Sequence, residues 1–162
     1  GPSGVTVVII RKDLLERSND NLPIMLNYNT HASKNSMYNT PPTFAIYLLG
    51  KVLAWVEQQG GVAAIEKQNQ LKAQILYDAI DESNGFYKGH AAKDSRSLMN
   101  VTFNLASEEL EKKFLAEARE QGFVGINGHR SIGGCRASIY NAVPIESCEA
   151  LRDFMLAFKA KN

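Results

Sequence analysis

Three side chains that can carry positive charge lie close together among glycines near the end of the chain. The segment 125–141, GINGHRSIGGCRASIYN, contains His129, Arg130 and Arg136. An arginine guanidinium can donate two parallel hydrogen bonds to a carboxylate or a phosphate, and a protonated histidine adds another donor. Glycines allow sharp turns and let a ligand approach the backbone. The segment therefore predicts an anion-binding site, with ordinary surface ion pairs of the two arginines as the alternative.

A second candidate anion site lies where a helix is expected to begin. Thr40 is followed by Pro41, an order that predicts a helix with Thr40 as its N-cap and Pro41 as its first residue. The first N–H groups of a helix have no partners within it and attract phosphate groups, and Asn39 and Thr40 would add side-chain donors. A helix cap without a ligand is the alternative. The glycine motifs of nucleotide-binding proteins do not occur in the sequence.

The composition is that of a globular protein without a strong charge bias. Of the 162 residues, 44% are hydrophobic and 22% are charged, and the formal net charge is +1. A chain with so little net charge is not expected to bind nucleic acid or an anionic membrane surface. The two cysteines, Cys135 and Cys148, are too few for a metal site and are expected to be free thiols. The sequence contains no recognisable leader or membrane-spanning stretch, so a cytoplasmic protein is expected.

The first forty residues show little regular pattern. Residues 5–10 form a β-branched run that predicts a strand buried on both faces, as in a parallel sheet. Residues 12–39 form a long polar stretch that is expected to be an irregular loop, and loops of this length commonly belong to functional sites or interfaces. Because a single buried strand needs neighbouring strands, we expect the chain to be the back part of a larger protein.

Two successive helices are predicted after this stretch, over residues 41–59 and 62–81. The glycine pair at residues 60–61 separates them, because glycine readily ends a helix. The change from loop to helices predicts two domains, one over residues 1–61 and the other over residues 62–162.

The second domain is predicted to alternate strands and helices. Residues 98–105 alternate apolar and polar side chains, which is typical of a half-buried strand. Ser107 is the expected N-cap of a helix that ends at Gly122. The remaining elements are two short strands that flank the anion-binding loop and a final helix, at residues 123–126, 136–141 and 145–159. Together they predict a small α/β sandwich with the anion-binding loop at one edge of its sheet.

Three separated motifs make the whole chain resemble the C-terminal part of the phosphoserine aminotransferases. They are GPSGVTVV at residues 1–8, YNTPPTF at residues 38–44 and GFVGINGHRSIGGCRASIYNA at residues 122–142. The resemblance implies the α/β fold of the pyridoxal-phosphate-dependent aspartate-aminotransferase superfamily. Residues 1–61 would end the large cofactor-binding domain, and residues 62–162 would form the small C-terminal domain. It also implies transfer of an amino group from glutamate to 3-phosphohydroxypyruvate, giving O-phosphoserine and 2-oxoglutarate in serine biosynthesis.

The resemblance also assigns roles to the candidate residues. It implies that Arg136 binds the α-carboxylate of the substrate. His129 and Arg130 would bind its far end, which is the phosphate of phosphoserine or the side-chain carboxylate of glutamate. Asn39 and Thr40 would reach across a homodimer interface to the phosphate of the partner subunit's pyridoxal phosphate.

One residue of the family pattern is expected to lie outside this sequence. The lysine that forms the Schiff base with the cofactor would fall just before Gly1, so no catalytic residue is expected within the chain, which alone should be inactive. The motifs leave two other interpretations open. The chain could belong to another aminotransferase or a desulfurase of the same superfamily, or it could be a non-catalytic fragment that binds anions or mediates dimerisation.

Overall fold

The computed structural model describes residues 3–19 and 21–162. The chain divides into two compact units, Gly1–Gln58 and Gln59–Asn162. Helices and strands both occur, as the predicted α/β class requires. Within the described residues, no helix combines the length and the apolar character needed to cross a bilayer.

The first unit is helical throughout its regular parts. Its elements are two short helices, a single 3₁₀ turn and one long helix: α1 Lys12–Glu16, the 3₁₀ turn Ile24–Leu26, α2 Tyr28–Ala32 and α3 Thr43–Gln58. The strand predicted at residues 5–10 is wrong, because these residues pair with no other strand in the described part of the chain. Ile9 is 97% exposed. A β-branched run acquires strand structure only when a neighbouring strand accepts its hydrogen bonds.

The loop predicted at residues 12–39 contains the two short helices. In α2, the side chain of Asn27 accepts a hydrogen bond from the backbone N–H of Asn29 at 2.9 Å and so caps the helix. Helices of five residues are too short to show an apolar period, so the sequence did not indicate them.

The long helix of this unit begins later than predicted. The carbonyl of Pro42 accepts the first helical hydrogen bond, from the N–H of Ile46 at 3.0 Å, so Pro42 and not Thr40 occupies the cap position. Pro41 precedes another proline, and a residue before proline is disfavoured in the helical region. The predicted end of the helix near residue 59 is confirmed by its last residue, Gln58.

The second unit is a four-stranded antiparallel sheet packed with three helices. Its elements are α4 Gly61–Asp81, β1 Lys88–Gly89, a 3₁₀ turn at Lys93–Ser95, β2 Asn100–Asn104, α5 Glu108–Glu120, β3 Asn127–His129, β4 Gly133–Ser138 and α6 Ile145–Lys161. The strand order is β1-β2-β4-β3. The three predicted helices and the strand predicted at residues 98–105 are confirmed, the strand in a shorter form. The side chain of Ser107 accepts from the N–H of Leu110 at 3.2 Å, as its predicted capping role requires.

The core covers one face of this sheet. In the paired strands β2 and β4, Phe103 lies opposite Cys135 and Val101 lies opposite Ala137, and all four are buried. They pack with buried residues of the three helices, among them Leu76, Phe114, Met155 and Phe158. Side chains alternate between the two faces of a strand, so Arg136, which lies between Cys135 and Ala137, projects from the opposite face.

The two strands predicted around the anion-binding segment are displaced. Residues 123–126 are irregular, and the strand follows them as β3. Gly125 has a φ of +77°, which interrupts an extended chain at that point. The strand predicted at residues 136–141 instead spans Gly133–Ser138, because Gly133 pairs with His129 at its start although two successive glycines give no side-chain pattern of a strand.

A buried lysine fixes the chain beyond β4 to helix α4. Lys72 is 2% exposed, and its ammonium group donates to the carbonyls of Ile139, Tyr140 and Val143 at 3.2, 2.8 and 3.0 Å. Burial lowers the pKa of Lys72 below its ordinary value, while the nearby Cys148 raises it. The three carbonyls replace the water that the ammonium loses, so this contact ties the end of β4 to the helix.

Candidate functional site

The anion-binding segment folds as a tight β-hairpin. Strands β3 and β4 pair in antiparallel register, with His129 opposite Gly133. The N–H of Ile132 donates to the carbonyl of His129 at 2.9 Å and closes the turn. The loop predicted from the glycines is therefore shorter than expected. His129 ends one strand, Arg130 lies in the turn, and Arg136 lies within the next strand.

Glycine is required where the two strands approach each other. A Cβ atom at Gly128 would lie 1.9 Å from the carbonyl oxygen of Gly133 and 2.7 Å from that of Gly134. Gly133 and Gly134 have φ values of +76° and +72°, which other residues rarely adopt. The glycines thus set how closely the strand that carries His129 packs against the strand that carries Arg136.

The surroundings of Arg136 are those expected of an arginine that binds an anion. It is half-buried in β4 opposite Thr102. Its Nε atom is buried, and no hydrogen-bond acceptor for it lies among the described residues. None of the ion pairs formed by the described residues includes Arg136 or Arg130. Because buried donors are nearly always paired in folded proteins, a ligand acceptor would complete this site.

The structure brings His129 and Arg136 to one small cavity of about 50 Å³. His90 and Thr102 also line it, and the N–H of His90 donates to the carbonyl of Thr102 at 3.2 Å. Arg130 is exposed in the turn and does not line this cavity. The sequence reasoning missed His90 and Thr102, because only the pairing of strands brings them beside Arg136.

Within the described part of the chain, the side-chain hydrogen bonds of His129 use only one of its ring nitrogens. Its Nδ1 atom accepts from the backbone N–H of Ser131 at 3.3 Å and lies 2.6 Å from the hydroxyl oxygen of Ser131. A nitrogen that accepts from a backbone N–H carries no proton, so the neutral ring carries its proton on Nε2. The Nε2–H group is then available to donate to an anion.

Asn39 and Thr40 are placed differently from the prediction. Both are exposed, and they precede α3 instead of capping it. The side-chain amide of Asn39 donates to the carbonyl of Thr40 at 3.2 Å. The first turn of α3 still offers backbone N–H groups, at Phe44 and Ala45, for which the helix provides no acceptor. An amide, a hydroxyl and free N–H groups are donors that fit a phosphate by their chemistry.

The two cysteines are unsuited to nucleophilic chemistry. Both are free and buried. Burial raises the pKa of Cys135 to about 12 and also raises that of Cys148. Because the thiolate is the reactive form, these thiols pack as apolar side chains. The described residues contain no group of three or more His, Cys, Asp or Glu that could hold a metal ion.

Comparison with known proteins confirms the resemblance indicated by the three motifs. A curated phosphoserine aminotransferase of Lysinibacillus sphaericus is 72% identical over 162 residues, which is 100% of this chain and 45% of the relative. A solved phosphoserine aminotransferase, studied for radiation damage of its Schiff base, superposes with a TM-score of 0.96 at 65% identity. The superposition covers 100% of this chain and 45% of that one. A phosphoserine aminotransferase with bound PLP from Trichomonas vaginalis gives a TM-score of 0.83 at 39% identity, over 91% of this chain and 42% of that one.

These relatives confirm the α/β fold, and the chain spans less than half of their length. The family model for class-V aminotransferases matches residues 1–151. The match includes the whole hairpin with its histidine and two arginines, as well as the turn that precedes α3. The chain belongs to the class-V aminotransferase family.

Proposed function

We propose that the complete protein containing this chain is a pyridoxal-phosphate-dependent phosphoserine aminotransferase. It would interconvert 3-phosphohydroxypyruvate and glutamate with O-phosphoserine and 2-oxoglutarate, in the cytoplasm and in the service of serine biosynthesis. The observation that carries the proposal is the half-buried Arg136, whose Nε finds no acceptor among the described residues and which shares a cavity with His129. The names of the similar proteins support the choice of substrate.

The hairpin would recognise the two ends of the substrate separately. Arg136 would bind the α-carboxylate, because its planar fork matches that group and no carboxylate of the described chain pairs with it. His129 and Arg130 would bind the phosphate, or the side-chain carboxylate of glutamate. Arg130 lies in the turn outside the cavity, where it would close over the more exposed end of the substrate.

Asn39 and Thr40 would hold the cofactor phosphate of the partner subunit in a homodimer. Their amide and hydroxyl groups, together with the free N–H groups of α3, form a neutral donor set that fits a phosphate. When bound, pyridoxal phosphate supplies the electron sink that allows an amino group to pass from one acid to another. The contribution of this chain is to bind and orient the acid that reacts.

The domain assignment is part of the proposal. Residues 1–61 would complete the large cofactor-binding domain, and residues 62–162 would form the small domain that carries the substrate hairpin. This assignment explains why the two predicted anion sites lie in different units: one serves the cofactor and the other serves the substrate.

The proposal is tested with the purified full-length protein and pyridoxal phosphate. O-phosphoserine and 2-oxoglutarate should give glutamate, and serine in place of phosphoserine should react at least 100-fold less efficiently, since it lacks the anion that His129 and Arg130 would bind. Equal activity with serine, or activity only as a desulfurase, would refute the proposed substrate. Failure to bind the cofactor would favour the interpretation as a non-catalytic anion-binding protein.

A further inference from the structure

The start of strand β4 is held by a carboxylate from a neighbouring helix. The N–H of Gly134 donates to Oε1 of Glu111, in the first turn of α5, at 3.0 Å. Glu111 is half-buried and Gly134 is buried. A helix side chain therefore reaches the backbone of the strand that carries Arg136.

The backbone explains why an acceptor is needed there. Gly133 and Gly134 both have positive φ values, which distort the start of the strand as glycines do in β-bulges. The pairing between β2 and β4 ends at Phe103 and Cys135, and Cys135 is the residue after Gly134. The N–H of Gly134 donates to helix α5 instead of to a strand. A buried N–H without an acceptor is costly, and Glu111 provides that acceptor.

The position of this bond relates it to the substrate hairpin. Gly134 lies two residues before Arg136 and packs against Gly128, the residue before His129. A Cβ at Gly134 would lie 3.0 Å from both Oδ1 of Asn104 and the carbonyl oxygen of Phe103, so the glycine has little room to shift. The other end of the strand is held separately by Lys72. The bond from Glu111 thus adds to the pairing with β3 at the end of β4 that joins the turn.

We propose that Glu111 is a positioning residue, which fixes the Gly133–Gly134 backbone and so the directions in which Arg136 and His129 meet the substrate. This inference rests on the proposed function for its substrate, O-phosphoserine. It assigns to Glu111 no contact with the substrate. Its role is that of a hydrogen-bond acceptor, and its charge is not required.

The test uses variants of the full-length enzyme with bound cofactor. Glu111→Met keeps the length of the side chain but removes the acceptor, while Glu111→Gln removes the charge and keeps an oxygen acceptor. Glu109→Met is the matched control, because Glu109 is an exposed glutamate in the same turn of α5. We expect Glu111→Met to raise the KM for O-phosphoserine roughly tenfold with a smaller change in kcat. Glu111→Gln and Glu109→Met should stay within about twofold of wild type.

A second measurement makes the test independent of activity. Hydrogen exchange of a peptide covering residues 127–138 should become faster in Glu111→Met and should be unchanged in Glu111→Gln and Glu109→Met. Should the Glu111→Met protein fail to fold, Glu111→Ala takes its place in both measurements. A wild-type enzyme that does not use O-phosphoserine would refute the proposed function, and the exchange data would still test Glu111.

Three outcomes would overturn the inference. A lower melting temperature with unchanged KM would show that Glu111 is merely structural. Equal damage in Glu111→Gln and Glu111→Met would show that the charge matters and not the acceptor. Tighter binding of O-phosphoserine in both variants would show that Glu111 acts on the site only by repulsion.

Discussion

The two candidate anion sites differ in how the chain holds them. In the second unit, Arg136 lies on β4, which pairs with β2, and Val101 and Phe103 of β2 are fully buried. In the first unit, Asn39 and Thr40 are exposed, and Ala45 is the one buried residue in the described part of helix α3. A side chain held by a packed sheet keeps its direction without a ligand, whereas an exposed turn gains order from what it binds. The hairpin should therefore dominate substrate affinity, and the turn should act through the cofactor.

The largest expected effect is that of removing the guanidinium from the packed site. Arg136→Ala in the full-length enzyme should lower kcat/KM roughly 1000-fold, since two charge-assisted hydrogen bonds to the α-carboxylate are lost. The loss should be similar for O-phosphoserine and for glutamate. Arg136→Lys keeps the charge but not the fork and should recover only part of the activity. Steady-state kinetics with both donors measure these effects, and a loss confined to one donor would contradict the assigned role.

A smaller and more selective effect is expected in the turn of the hairpin. Arg130→Ala should lower kcat/KM roughly 100-fold for O-phosphoserine and less for glutamate, since the phosphate carries more charge than a carboxylate. The matched control is Arg119→Ala, in α5 outside the hairpin, which should leave both values unchanged. Equal losses for both donors in Arg130→Ala would remove the proposed division between the two arginines.

The exposed turn should show its effect on cofactor affinity. Thr40→Val should weaken binding of pyridoxal phosphate roughly tenfold, because a hydroxyl donor to a phosphate is replaced by a methyl group. Thr43→Val is a suitable control, since the hydroxyl of Thr43 already donates to the carbonyl of Pro41 at 3.2 Å. The affinity of each variant for pyridoxal phosphate is measured from the cofactor absorbance as the cofactor is removed stepwise by dialysis. An unchanged affinity of Thr40→Val for pyridoxal phosphate would contradict the proposed contact between this turn and the cofactor.

The smallest effect concerns stability of the second unit at low pH. Hydrogen bonds from Arg96 and Lys93 lower the pKa of Asp81 to about 2. Because the pKa is depressed in the folded state, this stabilisation is present above the ordinary pKa near 3.8 and is lost as the pH falls through the folded-state pKa of about 2. Asp81→Asn should lower the free energy of unfolding by about 1 kcal/mol at pH 6, and the difference from wild type should shrink through about pH 2 and vanish only below it. Thermal unfolding at several pH values measures it, with Asp94→Asn as the control. A difference that is the same size at pH 6 and at pH values below the folded-state pKa would show that the charge of Asp81 is not its source.

Much of the second unit could be predicted because its local signals agree with its packing. The apolar period of α4 and α6, the cap at Ser107 and the alternation in β2 each identify an element from neighbouring residues alone. The hairpin strands were misplaced because β4 begins at Gly133 and Gly134, which carry no side-chain pattern. The strand predicted at residues 5–10 failed for the opposite reason, since its pattern is strong and the described chain gives it no partner.

In the candidate site, too, the sequence indicated some residues, and only the fold reveals the others. The types and spacing of His129, Arg130 and Arg136 indicated an anion site, and the structure brings two of them to one cavity. Glu111 and His90 could not be chosen from the sequence, because their contacts with this region depend on helix packing and strand pairing. The roles assigned to all of these residues stay predictions until the variants are measured.

The ammonium of Lys72, bound to three carbonyls beyond β4, constrains how the second unit can move. Displacement of residues 139–143 along the helix would pull these carbonyls away from the ammonium of Lys72, a residue that is only 2% exposed. These bonds therefore oppose sliding of residues 139–143 past helix α4. If this unit moves when a substrate binds, they favour a movement that carries the helix and this segment together.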